Sequence, residues 1–159
     1  MTASENGILF DNLDALLDAS MDDLEDLPPS GVPPSGHYNL TVSFSIEEIG
    51  DEKKEVIMAK YIVDAVNELK DPEEASEVQP KQEFAEFFHL TKKDGSVNKF
   101  GIGKLKQRLN PYVERLNTKS IRELINGVNG FAIAASVKRT VNKKNEDQYN
   151  MDLKDVVVL

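Results

Sequence analysis

The chain has 159 residues, of which 40% are hydrophobic, enough for one domain with a modest core. It holds no cysteine, which excludes a disulfide framework and a thiolate metal site and agrees with a reducing cytoplasm. The net charge of −9 argues at first sight against a nucleic-acid partner, yet residues 1–36 carry −8, 37–90 carry −8, 91–144 carry +10 and 145–159 carry −3. No secretory leader is expected, since the first thirty residues lack a basic start followed by an apolar stretch. Apolar runs such as Phe131 to Ala135 are too short to span a bilayer.

Residues 1–36 read as an acidic arm ending in a flexible linker, Leu27-Pro28-Pro29-Ser30-Gly31-Val32-Pro33-Pro34-Ser35-Gly36. Upstream of the linker, Leu13, Leu16, Leu17, Leu24 and Leu27 recur at helical spacing with acids between them. Two readings stay open for this stretch: a solubilising tail, and a short amphipathic helix that binds a partner.

Residues 37–159 read as the folded domain. Tyr38, Leu40, Val42, Phe44 and Ile46 alternate with Asn39, Thr41, Ser43 and Ser45, the pattern of a half-buried strand. After a polar turn at residues 50–54, Glu55 to about Ala65 predicts a second strand, with Asp64 to Lys70 free to turn helical. A loop carrying Pro72 and Pro80 leads to a third strand from Gln82 to Thr91. Leu105, Leu109, Val113 and Leu116 share a helical face, which Asn110-Pro111 is expected to break in two. Ser120 and Glu123 have capping-box spacing for a short helix ending at Gly127 or Gly130. Phe131 to Val141 and Gln148 to Leu159 predict two further strands around a hairpin at residues 142–147. The expected class is mainly β with a helical insert (α+β). Three strands, a helix and two strands is the order of the OB-fold, a five-stranded, partly closed barrel.

Several chemistries can be weighed from the residues. Gly101-Ile102-Gly103-Lys104 lacks the first glycine and the Ser/Thr of a phosphate loop, so loose backbone before a helix explains it. Asp152-Leu153-Lys154 has a spacing used by some metal-dependent nucleases, but acids are too common here for it to be specific. His37 and His89, far apart and without cysteine, make no zinc site. No enzyme activity and no cofactor are expected. What stands out is the basic block. Lys92, Lys93, Lys99, Lys104, Lys106, Arg108 and Arg115 surround the end of the third strand and the helices, and Lys138, Arg139, Lys143 and Lys144 lie on the fourth strand and its hairpin. Tyr61, Phe87 and Tyr149, with His89 beside them, offer rings on which bases stack. Alternation sends Phe84, Phe88 and Leu90 to one face of the third strand and Phe87 and His89 to the other, so only one set is free of the core.

Pro34-Ser35-Gly36-His37-Tyr38 opening a strand, and Gly130-Phe131-Ala132-Ile133 followed by a charged hairpin and Asp147-Gln148-Tyr149-Asn150, resemble phage-encoded OB-fold single-stranded DNA-binding proteins. The resemblance covers roughly residues 34–159 as an order of elements. It implies coating of single strands in replication, recombination or repair, with the host cytoplasm as location. It also implies an acidic tail that recruits partner proteins or competes with DNA; in that family the tail usually lies at the C-terminus, whereas here the acids are N-terminal. The nucleic-acid-binding residues expected on this basis are Lys92, Lys93, Lys99, Lys104, Lys106, Arg108, Lys138, Arg139, Lys143 and Lys144 for phosphates, with Tyr61, Phe87 and Tyr149 for bases. The alternative is a protein-interaction or virion-assembly module that binds no nucleic acid.

Overall fold

A computed structural model describes residues 13–23, 31–50, 54–144 and 149–159. Five strands, β1 (Gly36–Ile49), β2 (Lys54–Leu69), β3 (Glu83–His89), β4 (Phe131–Val141) and β5 (Tyr149–Val158), form one antiparallel sheet in the order β3-β2-β1-β4-β5. Helix α1 (Leu13–Leu17) precedes the sheet, and α2 (Lys99–Leu116) and α3 (Ile121–Gly127) lie between β3 and β4. The fold is therefore mainly β with a helical insert. The remaining positions of the leucine-spaced stretch, the linker's residues 27–30 and residues 145–147 of the last hairpin lie outside the described residues.

The alternation in β1 becomes an inward row of Tyr38, Leu40, Val42 and Phe44, all buried. Register carries the row across the sheet: Phe44 pairs with Ala59 and Val42 with Tyr61 on β2, while Ile57 pairs with Phe88 and Tyr61 with Phe84 on β3. Ile133, Ala135 and Val137 of β4 and Leu153 of β5 complete the sheet's side of the core. Leu105, Leu109 and Tyr112 of α2 and Leu124 and Ile125 of α3 close it from above. The Phe44 ring stacks on Phe88 with centroids 6.4 Å apart and meets Tyr112 edge-on at 6.3 Å.

Three expectations are corrected. First, residues 64–69 stay in β2 rather than turning helical, because the segment is paired, Leu69 with Gly36 and Val66 with Tyr38, through two register shifts in β1. Second, Asn110-Pro111 does not divide the helix; Pro111 sits inside α2. The proline ring denies the Gln107 carbonyl its helical partner, and the buried Leu109 and Tyr112 on either side hold the helix together. The cap is Asn98, whose side chain accepts from the Gly101 N–H at 3.2 Å and donates to the His89 carbonyl at 2.9 Å, tying the helix start to the end of β3. Gly101 is needed there for close approach: a Cβ would lie 2.2 Å from the His89 carbonyl oxygen.

Third, residues 31–35 are not a flexible linker. Pro33 and Pro34 are buried, and the Tyr38 hydroxyl donates to the Pro34 carbonyl at 2.5 Å. Gln82 donates to the Gly31 carbonyl at 2.7 Å, and the Lys70 N–H donates to the Ser35 carbonyl at 2.9 Å. Burial pushes the Tyr38 phenol up to about 12, with Arg139 opposing, so it stays a donor at neutral pH.

The two edge strands, β3 and β5, are joined by one side chain. Arg108 of α2 donates from Nε and Nη2 to the two carboxylate oxygens of Glu86 on β3, at 2.8 Å each. The same guanidinium reaches β5, with Nη2 2.9 Å from Asp152 Oδ1 and Nη1 3.1 Å from the Leu153 carbonyl. Glu86 also accepts from the Tyr61 hydroxyl at 2.8 Å. Burial disfavours the charged guanidinium, but the Glu86 and Asp152 hydrogen bonds and the Glu86 charge outweigh it and raise its pKa. Burial likewise raises Asp152, and the hydrogen bond and charge of Arg108 more than reverse it, leaving that carboxyl below its usual value.

Replacing Arg108 with Ala is expected to cost about 3–5 kcal/mol, since the nearly buried Glu86 carboxyl would lose its cation and two of its hydrogen bonds; the measurement is a fall in urea midpoint at unchanged slope. Because Asp152 is depressed in the folded chain, its contribution is complete above the ordinary carboxylate range and is lost as pH falls through its folded value. Asp152→Asn should flatten the fall of the urea midpoint below about pH 4, modestly because the side chain is 41% exposed.

Candidate nucleic-acid interface

Side chains that point away from the core form the outer face of the sheet. Phe87 pairs with Met58, and Met58 with Ser45, so these three make one row across β3, β2 and β1. Phe87 is 50% exposed, an aromatic ring left half bare on a strand whose other two phenylalanines are buried. His89, two residues along, faces the same way and is exposed. Beyond it opens a cleft of about 760 Å³ between the β1–β2 hairpin and the loop after β3, lined by His89, Lys54, Lys92, Lys93 and Asn98 among others.

The loop carrying Lys92 and Lys93 is held in place. Thr91 bridges to Val97, and the Asp94 carboxylate accepts from the Ser96 hydroxyl at 2.6 Å and the Ser96 N–H at 2.9 Å. Those bonds hold the Asp94 carboxyl below its usual value. Lys54 Nζ donates to the Lys92 carbonyl at 3.5 Å, linking loop to hairpin. Lys54 and Met58 carry no local signal of this position: the lysine belongs to what the sequence presents as a polar turn, and the methionine's outward position follows only from the register.

Two expected site residues belong to the interior. Tyr61 is 1% exposed, its ring stacked 5.1 Å from Phe84 and its hydroxyl committed to Glu86, so it offers no face to a base. Arg108 is spent on the edge strands. Arg139 is a third correction. Its Nη2 meets Glu74 at 2.7 Å and Glu77 at 3.3 Å, its backbone N–H donates to Ser35 Oγ at 2.9 Å, and its guanidinium lies 4.3 Å from the Tyr149 ring centroid. With a side chain only 10% exposed, it clasps the proline segment and the 72–77 turn to the sheet rather than presenting charge to phosphate. Tyr149 keeps 45% exposure, but one ring face carries that guanidinium.

The other cations are dispersed. Lys99 starts α2 next to Asn98, and Lys104 sits 5.7 Å above the Phe100 ring. Lys106 borders a groove between α2 and α3, away from the outer face. Lys138, Lys143 and Lys144 are exposed at the β4–β5 end. Since Gly36 pairs with Val137 and Ile49 with Lys54, that group and the Lys54–Lys92–Lys93 group lie at opposite ends of β1. Between them β1 turns outward a polar stripe of Asn39, Thr41, Ser43 and Ser45.

Among the described residues no three His, Asp or Glu side chains are grouped to hold a metal ion, and no helix is long and apolar enough to cross a membrane. The acid of the Asp152-x-Lys154 pattern is bonded to Arg108. Compared with known proteins, the chain matches no family model, no curated protein and no solved structure.

Proposed function

We propose that the protein binds single-stranded DNA with little regard to sequence, on an OB-type barrel, in replication, recombination or repair. The observation that carries this reading is Phe87, half exposed on the outer face of β3, with His89 beside it and Lys54, Lys92 and Lys93 around the adjoining cleft. A ring for a base next to cations for phosphates is the minimum that single-strand binding needs. The strand order β3-β2-β1-β4-β5, with helices between β3 and β4, supports the barrel, as does a guanidinium spanning both edge strands. The face formed by β2 and β3 is the one such barrels offer to oligonucleotides. The polar stripe on β1 supplies hydrogen-bonding groups along the path toward Lys138, Lys143 and Lys144. The acidic residues 1–30 act in this reading as an arm that recruits partner proteins or competes with DNA.

A labelled oligothymidine titration tests the reading, with binding expected at low salt and weakening as salt rises. Phe87→Ala should weaken binding by roughly 5- to 150-fold, the value of one stacked base. Replacing Lys92 and Lys93 together with Gln should lower the log–log salt slope by about 1.4, two phosphate contacts' worth. Equal affinity for polyglutamate and oligothymidine would instead favour the protein-interaction module.

A further inference from the structure

The helical insert carries an apolar groove of about 440 Å³ between α2 and α3. Ile102, Leu105, Leu109 and Val113 form one wall, Ile121 and Leu124 the other, and Lys106 and Lys119 stand at its rim. No carboxylate lines it among the described residues. Ile121 remains 53% exposed and Ile102 39%. Ile121 also borders a neighbouring hollow shared with Ile46, itself 63% exposed, so the apolar surface continues past the groove. A patch of this kind rimmed by one sign of charge marks an interaction surface.

The complement to that surface lies in the same chain. Leu13 and Leu17 stand four residues apart on one side of α1, and with Met21, which opens the short helical turn that follows, they are 66%, 70% and 83% exposed. Asp14, Asp18 and Asp22 follow each of them by one position and form an acidic row alongside. An apolar ridge flanked by carboxylates matches an apolar groove flanked by lysines in polarity and sign.

We infer that the acidic segment Leu13–Asp23 docks its Leu13–Leu17–Met21 ridge into the α2/α3 groove of its own chain, with Asp14, Asp18 and Asp22 toward Lys106 and Lys119. The two are tethered in one chain. Gly31 is anchored at the Glu83 carbonyl, and the seven residues between Asp23 and Gly31 span roughly 25 Å when extended. Glu83 lies only three positions from Glu86, to which Arg108 on the groove-bearing helix is bonded. Docking covers the exposed Leu13 and Leu17 of the segment and the exposed Ile102 and Ile121 of the groove, so it draws mainly on apolar burial, with the ion pairs setting orientation.

The absence of cysteine permits a clean test on the full chain. A nitroxide on Ala19→Cys, in the bend after α1, is read out by methyl NMR. The Ile102, Val113 and Ile121 methyls are expected to lose most of their intensity, and Leu17→Asp should restore it while the core Ile133 and Leu153 methyls keep their shifts. Three results would overturn the inference: no loss at the groove, loss that persists in Leu17→Asp, or loss at Met58 on the outer face instead. Loss seen only when spin-labelled protein is mixed with isotope-labelled, unmodified protein would assign the groove to a second copy and equally overturn it. The sample contains no DNA, so failure here leaves the DNA-binding reading to its own titration.

Discussion

The buried guanidinium of Arg108 is the constraint around which the rest of the structure is arranged. Each edge of a five-stranded sheet presents unpaired backbone groups. Here one planar group takes a carboxylate from β3 and both a carboxylate and a backbone carbonyl from β5, and so fixes how far apart the edges lie. A lysine could not do the same, because a single ammonium lacks the fork that serves two acceptors in one plane while reaching a third. The helix is held by the same contact. With Arg108 bound to Glu86, Leu105, Leu109 and Tyr112 are set over Phe44 and Phe88, and the sheet is covered. Burying such a cluster brings little net stability compared with apolar packing, but leaving it half-made is costly. What it contributes is a definite position of helix against sheet.

That use of arginine changes the meaning of the chain's charge. The +10 of residues 91–144 looks like one positive surface when read along the sequence. In three dimensions Arg108 is neutralised in the core and Arg139 by Glu74 and Glu77. Lys106 and Lys119 face the helical groove, and the exposed lysines divide between the two ends of β1. Arginine's weak hydration and fixed donor geometry suit it to interior bonds, whereas lysine stays wet. The remaining candidate surface is consequently smaller than the charge count implies, and it is defined by an aromatic ring as much as by cations.

The sequence made the strands legible where side-chain alternation reports burial directly, as in β1 and β4, and it made the Ser120 cap legible because its spacing is local: the Glu123 N–H does donate to Ser120 Oγ, at 3.3 Å. It also divided Phe84 and Phe88 correctly from Phe87, since pleating alone requires that split. What it concealed depended on partners distant in the chain. The far half of β2 is a strand because β1 lies beside it, Pro111 is tolerated because core residues flank it, and the proline segment is ordered because Tyr38, Gln82 and Arg139 hold it. Tyr61 and Arg108 were misplaced for the same reason. A polar-tipped side chain reads as surface until its buried acceptor is known: pleating puts Glu86 on the face of Phe84 and Phe88, but that Tyr61 and Arg108 meet it there depends on partners distant in the chain.

The separation of the two surfaces bears on how an acidic stretch and the proposed DNA site would share one small protein. Phe87 and Glu86 are consecutive on β3 and point to opposite faces; Glu86 meets α2, and the groove lies on the flank of that helix. Carboxylates resting in the groove are therefore set off from the outer face by the helix, about 10 Å across, while charges in physiological salt are screened over about 8 Å. Docked there, the acidic segment would weaken phosphate binding only through a field that salt largely removes, and it would leave the ring and the cleft uncovered. Released, the same carboxylates could reach the lysines directly. Residues 1–36 hold −8 of the net −9, so the rest of the chain is nearly neutral and strongly polarised along its sequence.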